Sequence, residues 1–310
     1  MSPAIELVDV TKRYGAHHAV RGVTLTVEPG TVFGLIGPNG AGKTTTLRML
    51  LDIIRPTSGT ARVLGQSPRD GGPALRRRIG YVPGELRLEG RVRGRSLLRH
   101  YGRISGPVAP GTIEALAERL GLDLSRPVRT LSKGNKQKLG LIQAFMHRPE
   151  LLVLDEPTSG LDPLVQREFL SMVREARASG QAVLLSSHVL SEIQQTADQV
   201  AVLSSGRIVA QGDVSSLRLG RVRHVRARIA DTEEGVRSTL QRVPALRELA
   251  IHPADTSVHV SATIDGDIDP LVKALAALRV LDLDLESPDL EESVLQLYGP
   301  SEGREEVRRA

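Results

Sequence analysis

Residues 37–44 read Gly-Pro-Asn-Gly-Ala-Gly-Lys-Thr, which satisfies the phosphate-binding pattern G-x-x-x-x-G-K-S/T in full. The pattern carries its own mechanism. Gly37, Gly40 and Gly42 let the backbone curl into a nest of N–H donors. A helix begins directly afterwards, so its positive end faces a bound anion. Lys43 reaches the β- and γ-phosphates as a point charge, and the Thr44 hydroxyl is suited to hold Mg2+. The flanks agree. Residues 32–36 form an apolar run with the length of a buried strand. Residues 45–51 read as a helix with Leu47, Leu50 and Leu51 facing inward. An ordinary glycine-rich turn would not need that strand–loop–helix setting.

A second constellation lies at residues 151–157, Leu-Leu-Val-Leu-Asp-Glu-Pro. A buried strand ends in two carboxylates. Asp155 is suited to hold Mg2+ directly or through water, and Glu156 to polarise an attacking water. Apolar runs that end in Asp-Glu occur by chance. Following a phosphate loop in one α/β unit, this run reads as chemistry.

With these motifs in place, the chain resembles the ATP-binding cassette ATPases over about its first two-thirds. Residues 131–137, Leu-Ser-Lys-Gly-Asn-Lys-Gln, look like the family signature, usually Leu-Ser-Gly-Gly-Gln. Residues 159–162, Ser-Gly-Leu-Asp, look like the D-loop, and residues 186–188, Ser-Ser-His, like the switch-histidine loop. Tyr14 stands where the family stacks adenine on an aromatic ring. The resemblance implies an ATP-binding stretch of Gly37, Pro38, Asn39, Gly40, Ala41, Gly42, Lys43, Thr44 and Thr45, with Mg2+ as the second cofactor. It implies that Leu131, Ser132, Lys133, Gly134 and Asn135 face the ATP of a second subunit, with Ser132 and the Gly134 backbone donating to its γ-phosphate. It makes His188 a γ-phosphate contact that orients water together with Glu156, and Asp162 a link between the two nucleotide sites. Plainer readings stand beside these. Ser132 also reads as a helix N-cap, and Tyr14 as a half-buried strand tyrosine.

Two departures from the family pattern stand out. The signature carries Lys133 and Asn135 for the usual Gly and Gln but keeps Gly134. At residues 81–85, Tyr-Val-Pro-Gly-Glu, the Gln that the family uses toward Mg2+ and water is Gly84. Either Glu85 or water takes that coordination place, or Glu85 is simply exposed.

Composition bounds the rest. The 310 residues allow about two domains, and 40% apolar with 25% charged residues is a globular balance. Aromatics are 2% and Trp is absent, so the core is aliphatic. The longest apolar runs are too short to cross a bilayer, and residues 1–6 lack the pattern of a secretory signal. With no Cys there is neither a disulfide framework nor a thiolate site. The 41 basic residues face 36 acidic ones, and the Arg clusters at 76–78 and 91–95 lack interleaved aromatics. They read as solvated surface or as a face near lipid head groups or a partner's loops; no nucleic-acid partner is expected.

Along the chain, residues 5–10 and 23–27 alternate like strands. Residues 85–129 carry helical periods, with Ile113, Leu116, Ala117 and Leu120 on one face. Strands follow at 151–155 and 182–186, helices at 163–178 and 189–196, and a hairpin around residues 204–207. After residues 212–220 the pattern changes. Residues 225–229, 258–262 and 281–285 alternate, 236–243 has helical spacing, and Asp269-Pro270 and Ser287-Pro288 read as helix starts. This resembles a small split βαβ module. It also looks like the accessory domain after the cassette in the daunorubicin-resistance-like exporters.

The expected fold is α/β, a phosphate-loop NTPase of cassette type with a mixed sheet, a β-rich N-terminal part and a helical subdomain at about 85–145. The cassette spans 1–215, a small α+β module 216–299 and a disordered tail 300–310. The resemblance implies an ATP-hydrolysing subunit, dimeric with itself or a sister ATPase. It would work at the cytoplasmic face of a bacterial membrane with a separate permease that exports a drug-like or lipid-like cargo. Rivals are an importer ATPase, a soluble cassette ATPase and a non-catalytic nucleotide sensor. One phosphate loop and no sustained heptads count against the soluble form, and retained Lys43, Asp155, Glu156 and His188 against the sensor.

Overall fold

The computed structural model describes residues 2–214, 222–254 and 256–286. The chain divides into two compact units, one ending at Val214 and the other beginning at Ser215.

The first unit holds two sheets. Strands β1 (Ile5–Tyr14), β2 (His17–Val27) and β4 (Ser58–Val63) form an antiparallel sheet in the order β2-β1-β4. A six-stranded sheet runs β5 (Ile79–Val82), β6 (Leu151–Asp155), β7 (Ala182–Ser187), β3 (Val32–Ile36), β8 (Gln199–Ser204), β9 (Arg207–Asp213). Its first five strands are parallel, and β9 pairs antiparallel with β8. Every residue of β3, β6 and β7 is buried, as expected for parallel strands covered on both faces. One apolar cluster joins the inner faces of both sheets, from Ile5 and Val20 to Phe33, Leu47, Val153 and Leu184.

Helix α1 (Lys43–Leu50) follows β3, and α2 (Pro68–Arg77) precedes β5. Helices α3 (Gly94–Ser105), α4 (Thr112–Arg119) and α5 (Lys133–Phe145) lie between β5 and β6. Ile113, Ala117 and Leu120 are buried there, on the face their spacing marks. Helix α6 (Pro163–Ala178) is capped by Asp162, whose Oδ1 accepts the N–H groups of Leu164 and Val165, with Pro163 in the first turn. Helix α7 (Leu190–Thr196) completes the unit.

Strand β1 runs past residue 10, where the alternation ends. Asp9 has φ 50° and the pairing register shifts beside it, so an irregularity splits one strand into two patterns.

The second unit is a βαββαβ fold: β10 (Val222–Ile229), α8 (Glu233–Leu240), β11 (Leu246–Ala254), β12 (Ser257–Asp265), α9 (Asp269–Ala276) and β13 (Val280–Glu286). The strand order β11-β12-β10-β13, with every neighbour antiparallel, is that of a split βαβ module. Its core is Val225, Ile229, Val236, Leu240, Val260, Ile264, Leu271 and similar side chains.

The alternating stretches of this region all form strands; the structure adds β11 and moves the cap of α9. Strand β11 carries no alternating signal, because Ala245 and Glu248 have positive φ and the register shifts after Arg247. Its Pro253 is tolerated on an edge strand. The residue before α9 is Ile268, so Asp269 is inside the helix; Asp267 Oδ1 instead accepts the Asp269 N–H at 3.0 Å. Residues 281–285 form edge strand β13 as their alternation predicts, with Leu281 and Leu283 46% and 40% exposed. The helix start at residues 287–288 and the tail at 300–310 lie outside the described residues.

Candidate active site

The C-terminal ends of the parallel strands converge on one place. Strand β3 runs into the loop of residues 37–42, and α1 starts at Lys43 with Gly42 at its N-cap. Glycine is required at two points of that loop. Gly42 has φ 107°, and a Cβ there would come 2.5 Å from the Ala19 carbonyl. A Cβ on Gly37 would come 2.4 Å from the Leu203 carbonyl. The loop is thus wedged between β2 and β8, and its main-chain donors keep a fixed direction.

Lys43 is 6% exposed. Its Nζ donates to the carbonyls of Gly37 and Pro38 and lies 3.3 Å from Glu156 Oε1. The second Glu156 oxygen, Oε2, is 2.6 Å from His188 Nδ1. Three elements separated in sequence therefore meet at one carboxylate: the phosphate loop, the end of β6 and the segment after β7. Glu156 has φ 45°, so the chain turns sharply as it leaves β6 and points this side chain back across the strand ends.

Asp155, one residue earlier, is fully buried. Its Oδ1 accepts a hydrogen bond from Ser186 Oγ at 2.6 Å, while Oδ2 has no partner. Gly84 faces that oxygen, since a Cβ there would lie 3.0 Å from it. A buried carboxylate oxygen without a donor is costly unless a cation meets it. Thr44, half-buried in the first turn of α1, supplies a hydroxyl donor of the kind a hard divalent cation takes. The residues present fit Mg2+. Tyr81 borders this region, and burial, then the charge of Asp155, raises its phenol above the ordinary range.

Glu85 does not join this group. Its carboxylate is exposed and clasped by Arg87, with an Nη2–Oε1 distance of 2.9 Å. An exposed carboxylate paired with arginine avoids the repulsion it would meet beside Asp155. Tyr14 is half-exposed near the β1–β2 turn, with Lys12 Nζ 5.0 Å from its ring centroid.

The signature stretch opens α5. Ser132 is its N-cap and accepts the Asn135 N–H at 3.2 Å. Gly134 sits so near residue 160 that a Cβ would come 2.6 Å from the Gly160 carbonyl. Lys133 donates to Ser159 Oγ at 3.3 Å, and its stem packs on Gly160. Signature and D-loop are therefore one packed unit, joined again by buried Gln137, whose Nε2 donates to the Pro157 carbonyl at 2.9 Å. Gln137 and Ser186 have no role that the motifs alone assign. Their partners lie 20 and 31 positions away, and the signal was the β6–β7 pairing that sets Asp155 opposite Ser186.

A phosphate loop, a buried lysine, an acid pair and a histidine at the ends of parallel strands define a phosphate-loop nucleotide hydrolase. Residues 20–159 match the family described as ABC transporter. The chain is 35% identical over 301 residues to the daunorubicin/doxorubicin resistance ATP-binding protein DrrA of Streptomyces peucetius, covering 94% of this chain and 90% of that one. It is 34% identical to the bacitracin transport ATP-binding protein BcrA of Bacillus licheniformis, covering 76% and 78%. A solved ATP-binding subunit of an ABC transporter superposes with a TM-score of 0.65 at 32% identity, covering 69% of this chain and 92% of that chain. The chain belongs to the ABC transporter family as one of its ATP-binding subunits, and it is an ATPase. Among the described residues no helix is long and apolar enough to cross a membrane.

Proposed function

We propose that this ATPase energises a separate membrane permease that exports a drug-like or lipid-like compound. The similarity to a resistance ATPase along 94% of the chain, second unit included, supports export. The site carries the chemistry, with Lys43 and His188 each in contact with one oxygen of Glu156.

Two copies sandwich two ATP molecules, each phosphate loop facing the partner's signature. Lys43 neutralises phosphate charge, and Glu156 acts as base toward the attacking water. His188, within hydrogen-bond reach of Glu156, holds that carboxylate and meets the γ-phosphate. Thr44 and Asp155 would hold Mg2+, which would supply neutralisation of phosphate charge. Among the described residues no three-residue acidic or histidine cage exists, and an ion shared with phosphates needs none. In the sandwich, Ser132 and the Gly134 N–H donate to the opposite γ-phosphate, and Asp162 links the two sites. Hydrolysis removes the contacts that hold the pair closed, and the permease at the cytoplasmic membrane face reads that opening.

The decisive experiment uses the full chain with Glu156→Gln. Light scattering with ATP and Mg2+ is expected to show a doubled mass that persists, while phosphate release falls by about 10²–10⁴-fold. A variant that stays monomeric with ATP, or that still turns over, defeats the sandwich or the base assignment respectively.

A further inference from the structure

We propose that Ser186 is a positioning residue for the metal–nucleotide site, acting on Asp155 and Glu156 through one buried hydroxyl. The inference rests on the ATPase reading above and extends it to a residue outside the motif roles. Strand β7 reads Ala-Val-Leu-Leu-Ser-Ser, apolar until Ser186. Ser186 is 0% exposed, and an apolar side chain there would satisfy packing on its own. A buried hydroxyl must find partners. Ser186 Oγ donates to Asp155 Oδ1 at 2.6 Å and accepts the Glu156 N–H at 3.1 Å. The Ser186 carbonyl shares that same N–H at 3.1 Å.

Both contacts have consequences at the site. With Oδ1 occupied, the Asp155 carboxylate cannot rotate freely, and its unpartnered Oδ2 is left facing Gly84. No side chain at residue 84 is available to steer that carboxylate from the other side. The hold on the Glu156 N–H fixes a residue whose φ of 45° lies where non-glycine backbone rarely rests. That turn sends the Glu156 carboxylate to Lys43 and His188. One hydroxyl thus sets the orientation of the metal carboxylate and of the base together.

The test compares Ser186→Ala, Ser186→Thr and Ser186→Val in the full chain. ATP binding is measured by equilibrium dialysis in EDTA and across a Mg2+ titration. Removing a partner of a metal-ligating group weakens metal affinity by roughly 10–100-fold. Ser186→Ala is expected to raise the Mg2+ concentration needed for half-maximal enhancement by roughly tenfold, at the low end of that range, with binding in EDTA unchanged. Thr is expected to restore the wild-type requirement, and Val, of the same size without the hydroxyl, to behave as Ala. An unchanged Mg2+ requirement in Ser186→Ala overturns the proposal. So does an equal loss with and without Mg2+, or identical behaviour of Thr and Val. Circular dichroism melts identify folded variants; should Ala not fold, the Thr–Val pair decides. Failure of the wild-type chain to bind ATP would sink the ATPase reading itself, a different result from wild-type binding with an indifferent Ser186.

Discussion

The two units of this chain bury different things. In the first, Lys43, Asp155, Gln137, Ser186, Ser187 and Glu192 are all inside, each within a tenth of full burial. In the second, among the described residues, Thr263 is the one buried polar side chain, and the rest of the interior is aliphatic. Buried polar groups cost stability unless paired, and they persist where geometry matters more than packing. The first unit ties them in pairs, such as Ser187 Oγ to Glu192 Oε2 at 2.9 Å and Gln137 to the Pro157 carbonyl. Among its described residues the second unit is a packing structure with no buried polar pair of that kind.

That contrast can be broken by experiment. The largest effect belongs to the apolar interior. Leu240, 1% exposed, lies at the end of α8, and Leu240→Ala should cost about 2–5 kcal/mol in the second unit, read by denaturant unfolding. ATP affinity should not change; if it falls in step, the two interiors are not separate. A smaller effect tests the polar ties. Gln137→Leu leaves the Pro157 carbonyl without its donor and should cost about 1–3 kcal/mol, with ATP turnover falling as the signature loosens from the D-loop. Unaltered turnover would make Gln137 a packing residue like those of the second unit.

The smallest effect lies on the surface of the first unit. Arg119 on α4 reaches Glu168 at 2.5 Å and Glu175 at 2.7 Å on α6. The hydrogen bond from Arg119 holds Glu175 below the ordinary glutamate range. A carboxylate whose folded value is depressed stabilises fully above its unfolded value and loses that contribution as pH falls through the folded one. Arg119→Ala should therefore cost only about 0.2–1 kcal/mol, less at high salt, and the gap to wild type should close in acid. A gap that widens in acid would reverse the assignment.

Much of this architecture is legible in the amino-acid sequence. Strands 32–36 and 151–155 and helix 163–178 have the bounds expected from their sequence patterns. Those signals are local. The residues that escaped act across strands. Ser186 and Gln137 show their use only once β6 lies beside β7 and α5 beside the segment after β6. Of the two readings open for Glu85, coordination or plain exposure, the structure shows exposure, because the partner that claims it, Arg87, sits two residues along. Strand β11 escaped because its bulge breaks alternation, and the exposed Leu281 and Leu283 because alternation alone does not say how much of an edge strand is covered. The sequence also leaves open that Ser132 caps its own helix while serving a nucleotide; the cap is there.

The crowding around Lys43 has a thermodynamic consequence. Its ammonium already rests among the oxygens of Gly37, Pro38 and Glu156. An incoming triphosphate is thus greeted by a swap of oxygens, with little unspent attraction waiting for it. A lone inorganic phosphate gains little from such a trade, whereas a longer anion that also fills the amide nest gains at every oxygen.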